Sequence, residues 1–234
     1  MSVEFLWGER AQPTRGPKPA LTLERIADAA VAVADAEGLT AVSMQRVAAE
    51  LGKTKMSLYR YLPGKAELVA LMVERGIGEP PVLGEGSWRA GLTEWSERLF
   101  AAYLRHPWSV DATVGRRPLG PRELGWMECA LAALGSGSGL TGAERLDAVA
   151  VLAGHARMRA QQSAARLDEN EMTAAMGQVV RQHGERFPHL TAAMRETAAG
   201  GGQNEAFAFG LNRILDGLAA LIDRRAAGAR NRQV

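Results

Sequence analysis

The stretch 43–65 decides the fold and reads SMQRVAAELGKTKMSLYRYLPGK. Ser43 can cap a short helix, and Gly52 can end it, because glycine tolerates the left-handed backbone of a sharp turn. A second short helix is expected over about 54–61, and Pro63 stops it from continuing. Two short helices joined by a glycine-containing turn predict a helix-turn-helix, the unit that presents its second helix to the major groove of DNA.

Helices on both sides complete this unit. One is predicted over about 22–37, between a cap at Thr22 and a stop at Gly38, and another over about 65–75. The apolar residues predicted to face inward recur at helical spacing: Ile26, Ala30, Val33, Ala34, Val47, Ala48, Leu51, Leu58, Leu62, Leu68, Leu71 and Met72. We therefore predict a three-helix helix-turn-helix DNA-binding domain over residues 21–76.

Charge in this stretch is one-sided, although the whole chain has a formal net charge of only +2. All the charged residues from 53 to 65 are cations: Lys53, Lys55, Arg60 and Lys65. The lysines could be ordinary solvated surface. However, a local basic face on a nearly neutral protein is what phosphate binding requires, so the pattern favours DNA.

Composition limits the class of protein. The chain has 234 residues, 47% hydrophobic and 23% charged, which suits a globular protein with one small and one larger domain. Alanine is abundant and no alternating strand pattern stands out, so we predict an all-α fold. Neither a secretory signal nor an apolar stretch of about 20 residues is recognisable, so we expect a cytoplasmic protein.

The two ends of the DNA-binding domain have different neighbours. Residues 1–20 are expected to form a flexible basic arm, because their prolines oppose regular helix. The cations of this arm are Arg10, Arg15 and Lys18. It could be a solvated tail, or it could contact phosphates or a minor groove. A glycine- and proline-rich connector follows the domain, and a larger C-terminal helical domain is predicted over 87–227.

Three motifs make the sequence resemble the TetR family of bacterial regulators. They are ADAEGL at the end of the first helix, SMQRVAAELG, and MSLYRYLPGKAEL, and together they cover about residues 21–75. The resemblance implies a ligand-responsive transcriptional repressor that binds a palindromic operator as a homodimer and is released by a small, hydrophobic effector. It also implies a four-helix bundle between subunits, built from segments 141–168 and 204–227.

The resemblance further assigns DNA-contacting positions. The residues are Gln45, Arg46, Lys55, Ser57, Tyr59, Arg60, Tyr61 and Lys65. Lys55 and Ser57 lie on the front of the recognition helix, where they could read bases, and Lys65 would bind phosphate at a helix N-terminus. Tyr59 and Tyr61 match phosphate-contacting positions, although Tyr59 could equally pack between helices.

The second half offers candidates for a ligand pocket and for the dimer interface. The soft and aromatic side chains that could line a pocket are Trp95, Phe100, Trp108, Trp126, Met127, His155 and Met158, and any of them could instead be core. The segment 204–227 is too apolar to lie open on one side. It is predicted to face a second subunit, with burial inside one subunit as the alternative.

Enzyme chemistry has little support in the residues. The four histidines form no metal-binding pattern, and the glycine triplet 200–202 is not followed by the Lys-Ser or Lys-Thr of a phosphate loop. No metal, cofactor or catalytic residue is therefore predicted. Two alternatives to the ligand-responsive regulator stay open: a DNA-binding regulator without a small-molecule ligand, and a helical enzyme that carries a helix-turn-helix.

Overall fold

The computed structural model describes residues 4–8, 21–135, 138–164, 169–199 and 205–230, and within them the chain is helical without β-strands. Its α-helices are α1 (Glu4–Trp7), α2 (Leu23–Glu37), α3 (Met44–Glu50), α4 (Lys55–Tyr59), α5 (Lys65–Ile77), α6 (Trp88–Arg105), α7 (Ser109–Ala112), α8 (Pro121–Leu134), α9 (Gly142–Ala164), α10 (Glu169–His183), α11 (Pro188–Ala199) and α12 (Ala206–Arg230). Short 3-10 turns lie at Leu39–Ala41 and Gly184–Arg186. The predicted all-α fold is confirmed.

The helix caps predicted in the first half are present. The Thr22 hydroxyl accepts the Arg25 N–H at 3.2 Å at the start of α2, and the Ser43 hydroxyl accepts the Arg46 N–H at 3.1 Å at the start of α3. Helices α2 to α5 enclose one hydrophobic core. Its fully buried side chains include Ile26, Val33, Val47, Leu58, Leu62, Leu68 and Met72, whereas Leu51 and Leu71 pack against its edge.

A second hydrophobic core lies between α6, α8, α9 and α12. Its members include Leu92, Trp95, Leu99, Ala130, Leu152, Leu211 and Leu215. Helix α6 is central, because it packs against both α8 and α9, and α12 covers α9. Three apolar residues of α12, Leu211, Leu215 and Leu218, are buried within one subunit, whereas Phe209 is exposed.

The two halves meet where α5 ends and α8 begins. Two backbone N–H groups of the first turn of α8 donate to the Glu74 carboxylate, that of Arg122 at 2.8 Å and that of Glu123 at 3.0 Å. These donors have no partner within α8, so a carboxylate there acts as a helix cap supplied by another helix. Gly120 makes room for it, since a Cβ at this position would lie 2.2 Å from the Glu74 carboxyl carbon.

The connector that comes after α5 in the sequence lies along α8. One turn further along α8 the Trp126 indole N–H donates to the Gly78 carbonyl at 3.3 Å, and at Cys129 the thiol donates to the Pro81 carbonyl at 3.3 Å. The glycine- and proline-rich segment was predicted only as a connector. In the structure its first residues lie along α8 and tie the two halves together.

A second link joins α2 to the corner between α6 and α7. The Asp35 carboxylate accepts the Trp108 indole N–H at 2.6 Å and lies 2.9 Å from His106 Nδ1. The Trp108 ring also covers Gly76, where a Cβ would lie 3.2 Å from it. Trp108 therefore belongs to the core of the first half, although it comes from the second half of the chain.

The predicted arm contains a short ordered element. Helix α1 is placed by the Trp7 indole N–H, which donates to the Leu119 carbonyl at 3.0 Å, and by Phe5, which packs against the first core. Residues 4–7 thus depart from the prediction of an arm without helix. The cations of the arm lie at positions 10, 15 and 18, outside the described residues. None of the helices in the described ranges is long and apolar enough to cross a membrane.

Candidate nucleic-acid interface

The turn between α3 and α4 sets the orientation of the recognition helix. Gly52 adopts φ 61°, the left-handed conformation expected from the sequence, and the Lys53 N–H donates back to the Ala48 carbonyl at 2.9 Å. Behind α4, Leu58 and Leu62 are completely buried. A helix of only five residues is too short to be stable alone, so these two leucines hold it on the core.

The outer face of α4 is polar and cationic. Lys55 and Arg60 are exposed, and Lys55 Nζ lies 5.5 Å from the centre of the Tyr59 ring. Tyr59 is 39% exposed, so of its two predicted roles the surface role is available. The Ser57 hydroxyl lies 2.9 Å from the Thr54 hydroxyl, which orients it at the start of the helix.

Four exposed cations within and next to α4 lack carboxylate partners among the described residues. Within the part of the chain that the structure describes, Lys53, Lys55, Arg60 and Lys65 form no ion pair. Lys65 is exposed at the first position of α5, whose cap is Gly64 and lacks a side-chain acceptor. A cation without an ion-pair partner beside a helix N-terminus is an arrangement that can bind a phosphate.

Two of the predicted contact residues are already engaged. Arg46 donates to Glu37 at 2.6 Å and to Glu50 at 2.8 Å, and these carboxylates raise the pKa of its guanidinium. The Tyr61 hydroxyl donates its single proton to the Leu21 carbonyl at 3.0 Å. Both side chains therefore have structural roles, and contact with a phosphate would require rearranging these bonds. Gln45, by contrast, is exposed on α3.

One exposed residue of this face was absent from the prediction. Met56 is 71% exposed, between Lys55 and Ser57. The sequence could have predicted this exposure. Met56 is two residues before the buried Leu58, which places it about 200° away around the helix and therefore on the side opposite the core.

The seven residues predicted to line a ligand pocket lie in different environments of the structure. Trp95 and Trp126 are buried and linked, since the Trp95 indole N–H donates to the Trp126 carbonyl at 2.8 Å. Met127 and Met158 are exposed, and Trp108 lies in the first core. A cleft of about 430 Å³ between α8 and α9 is lined by none of the seven; its residues include Leu131, Arg145 and Leu146.

Two of the residues predicted to line a pocket, Phe100 and His155, stack on the same aromatic ring, that of Phe207. The Phe100 ring from α6 stacks on Phe207 from α12, with centroids 4.3 Å apart. The His155 ring from α9 stacks on the same Phe207 at 5.4 Å, and His155 Nε2 lies 2.9 Å from the Phe207 carbonyl oxygen. These rings form an aromatic cluster where three helices of the second half meet.

The comparison with protein families matches both halves of the chain. Residues 26–72 match the model of bacterial regulatory proteins of the tetR family, and residues 80–222 match the model of the tetracyclin repressor-like C-terminal domain. The chain belongs to the TetR family. The predicted family is therefore confirmed, and the protein is a helix-turn-helix transcriptional regulator.

Individual TetR-family proteins agree with this assignment. The HTH-type transcriptional repressor DrrR1 of Streptomyces coeruleorubidus is 42% identical over an alignment that covers 96% of this chain and 87% of the relative. Apo ActR of Streptomyces coelicolor superposes with a TM-score of 0.74 at 26% identity, over 89% of this chain and 99% of ActR. ActR in complex with actinorhodin gives a TM-score of 0.73 at 27% identity, over 86% and 96% of the two chains.

Proposed function

We propose that the protein is a cytoplasmic, homodimeric repressor that binds a palindromic operator through two α4 helices and leaves it when a small, hydrophobic effector binds the second half. The observation that carries the proposal is the face of α4. Its Lys55, Met56 and Tyr59 are exposed, and further exposed cations lie nearby in sequence. The two fully buried leucines Leu58 and Leu62 hold the helix on the core. Such a face offers base contacts at its centre and phosphate contacts around them.

Dimerisation is supported by surfaces on α9 and α12 that their own subunit leaves open. On α9, Val151 and Met158 are exposed, and nothing lies within 4 Å of a Cβ built at Gly154 between them. On α12, Phe209 is 68% exposed, and nothing lies within 4 Å of a Cβ built at Gly217 two turns later. Apolar side chains flanking small residues let helices approach closely, so the two pairs of helices fit a four-helix bundle.

A small hydrophobic effector is supported by the aromatic cluster of Phe100, His155 and Phe207. Stacked rings prefer flat apolar partners, and their helices form the wall of the second core. Structural similarity to ActR, which has been solved with actinorhodin, supports the same class of ligand. We propose the domain limits 21–76 and 87–227, with the segment between them bound to α8.

Helix α8 is the route by which a ligand would act on DNA. One side of it contributes Trp126, Ala130 and Leu134 to the second core, and its first turn holds Glu74 of α5. A shift of α8 must therefore move α5 or break its cap. The ligand would regulate DNA binding if its binding free energy differed by about 1–3 kcal/mol between the DNA-binding arrangement of α8 and the shifted one.

Selection of bound DNA from a random pool tests the proposal. We expect an enriched palindrome whose half-sites match two recognition helices, and a complex containing two protein chains by sedimentation. Lys55→Ala should weaken binding to the selected site more than to random DNA. Arg98→Ala is the matched control, because it removes an exposed cation of α6 paired with Glu94, far from α4 in sequence.

Three results would count against the proposal. An unenriched pool would reject operator recognition, and an enriched single half-site bound by one chain would reject the dimer. Titration of the operator complex with flat aromatic compounds, compared with aliphatic compounds of the same mass, tests the effector. If no compound of either class releases the DNA, the regulator without a small-molecule ligand is favoured.

A further inference from the structure

Met56 is an apolar side chain that the folded protein leaves mostly exposed. Among the described residues from Leu21 to Ile77, it is the most exposed large hydrophobic side chain, at 71%, and Tyr59 follows at 39%. A methionine this exposed gains little from packing. Burial of a side chain of this size would stabilise the protein, so its exposure leaves favourable contact energy available to a ligand.

The fold itself has no need of an apolar residue here. Helix α4 is held by Leu58 and Leu62, which are completely buried, and its start is formed around the Thr54 and Ser57 hydroxyls. Met56 projects from the opposite side of the helix. The explanation for its side chain must therefore lie in what α4 contacts.

The neighbours of Met56 restrict the chemistry of that partner. Lys55 precedes it, and the exposed cations Lys53, Arg60 and Lys65 lie within nine residues of it in sequence. Such a face repels other basic surfaces and offers an apolar protein partner a poor environment, whereas it suits the major groove. In that groove the C5-methyl of thymine is the one apolar group on the base edges.

We propose that Met56 reads a thymine in each half of the operator by packing its thioether side chain against the C5-methyl group. The flexible, polarisable methionine side chain can adapt to the position of the methyl. This inference rests on the proposed function, because it requires α4 to enter the major groove. It adds a specific base to that function: an A·T pair under the centre of the recognition helix, oriented with its thymine methyl toward Met56.

The test replaces thymine by deoxyuridine, which keeps every hydrogen bond and removes only the methyl group. Each thymine of the selected operator is exchanged in turn, symmetrically in both half-sites, and Kd is measured at one salt concentration. Loss of one buried methyl group should weaken binding by about fourfold in each half-site, or about fifteenfold for the pair.

The protein variant then identifies the contact. With Met56→Ala, the thymine operator should bind about as weakly as the wild-type protein binds the deoxyuridine operator, and the exchange should have no further effect. Met56→Leu should restore part of the discrimination, and Lys55→Ala should keep it. Since Met56 is exposed, Met56→Ala should change the free energy of unfolding by less than about 0.5 kcal/mol.

The outcomes separate this inference from the proposed function. If the random pool yields no enriched site, operator recognition itself fails. If a palindrome is enriched but no thymine responds to exchange, or if Met56→Ala still distinguishes thymine from deoxyuridine, the function stands and the role of Met56 is overturned.

Discussion

The Glu74 cap on α8 allows a quantitative test of how the two halves are joined. Glu74→Ala would leave the Arg122 and Glu123 N–H groups of a part-buried helix end without their acceptor. An orphaned buried donor costs about 1–3 kcal/mol, and water can partly replace the acceptor here, so for the two donors we expect the free energy of unfolding to fall by about 2–4 kcal/mol. Glu74→Gln should cost less, because one acceptor oxygen remains.

Gly120 provides the second arm of the test. Its backbone has φ −104° and ψ 174°, which alanine adopts without strain, so a substitution acts only through its methyl group. That methyl would lie 2.2 Å from the Glu74 carboxyl carbon and 2.5 Å from Oε1, which forces the cap to open. We expect Gly120→Ala to cost about 1–3 kcal/mol in the wild-type protein.

The double variant decides whether the two effects have one cause. The Glu74→Ala background removes the three atoms nearest to the methyl of Gly120→Ala, so the second substitution should cost much less there than in the wild-type protein. Urea unfolding measures all four proteins, and operator affinity is measured in parallel to see whether loosening α8 alters DNA binding. Glu79→Ala is the control, because this exposed carboxylate also pairs with Arg122 but lies on the surface. Additive costs, or an equal loss in the control, would refute the cap as described.

Four further predictions concern single residues. Lys65→Ala should weaken binding to all DNA sequences alike and lower the slope of log Kd against log salt by about 1, measured by titration at several salt concentrations. Tyr61→Phe should lower the free energy of unfolding by about 1 kcal/mol in urea, because its hydroxyl bonds the Leu21 carbonyl, and should leave the salt slope unchanged. Phe209→Arg should weaken dimerisation by at least about 2 kcal/mol in sedimentation equilibrium while the helical content by circular dichroism is retained. Burial raises the pKa of the Glu74 carboxyl above its usual 4.5, so the folded state holds this proton more tightly than the unfolded state. The contribution of Glu74 to stability should therefore fall as pH rises from about 4.5 through the folded-state pKa, and Glu74→Gln should remove that part of the pH dependence in urea unfolding.

Local signals were enough to predict the recognition helix and its surroundings. Ser43 and Thr22 cap helices because their hydroxyls bond N–H groups three residues away, an interaction contained in the sequence itself. Leu58 and Leu62 were predicted to face inward from helical spacing alone, and both are fully buried. The same spacing places Met56 on the outward side of α4.

Residue type alone misled where a side chain is bound by a residue of another helix. Arg46 resembles a free cation, but Glu37 lies beside it after α2 and α3 pack together. Trp108 was predicted to line a pocket of the second half, yet its indole N–H donates to Asp35 of α2 and its ring packs in the first core. In both cases the deciding contact depends on how helices pack, which spacing does not reveal.

From the sequence alone follow the helical fold, the helix-turn-helix, its caps and its cationic surface, since these depend on residues within a few turns of one another. Tertiary packing alone decided which charges remain free for DNA, that α8 is capped by Glu74, and which apolar residues of α9 and α12 remain open to a second subunit. Those outcomes arise from contacts between different helices, at separations from 9 residues for Glu37 and Arg46 to 48 for Glu74 and Arg122, where burial and hydrogen-bond geometry are set by the arrangement of whole helices.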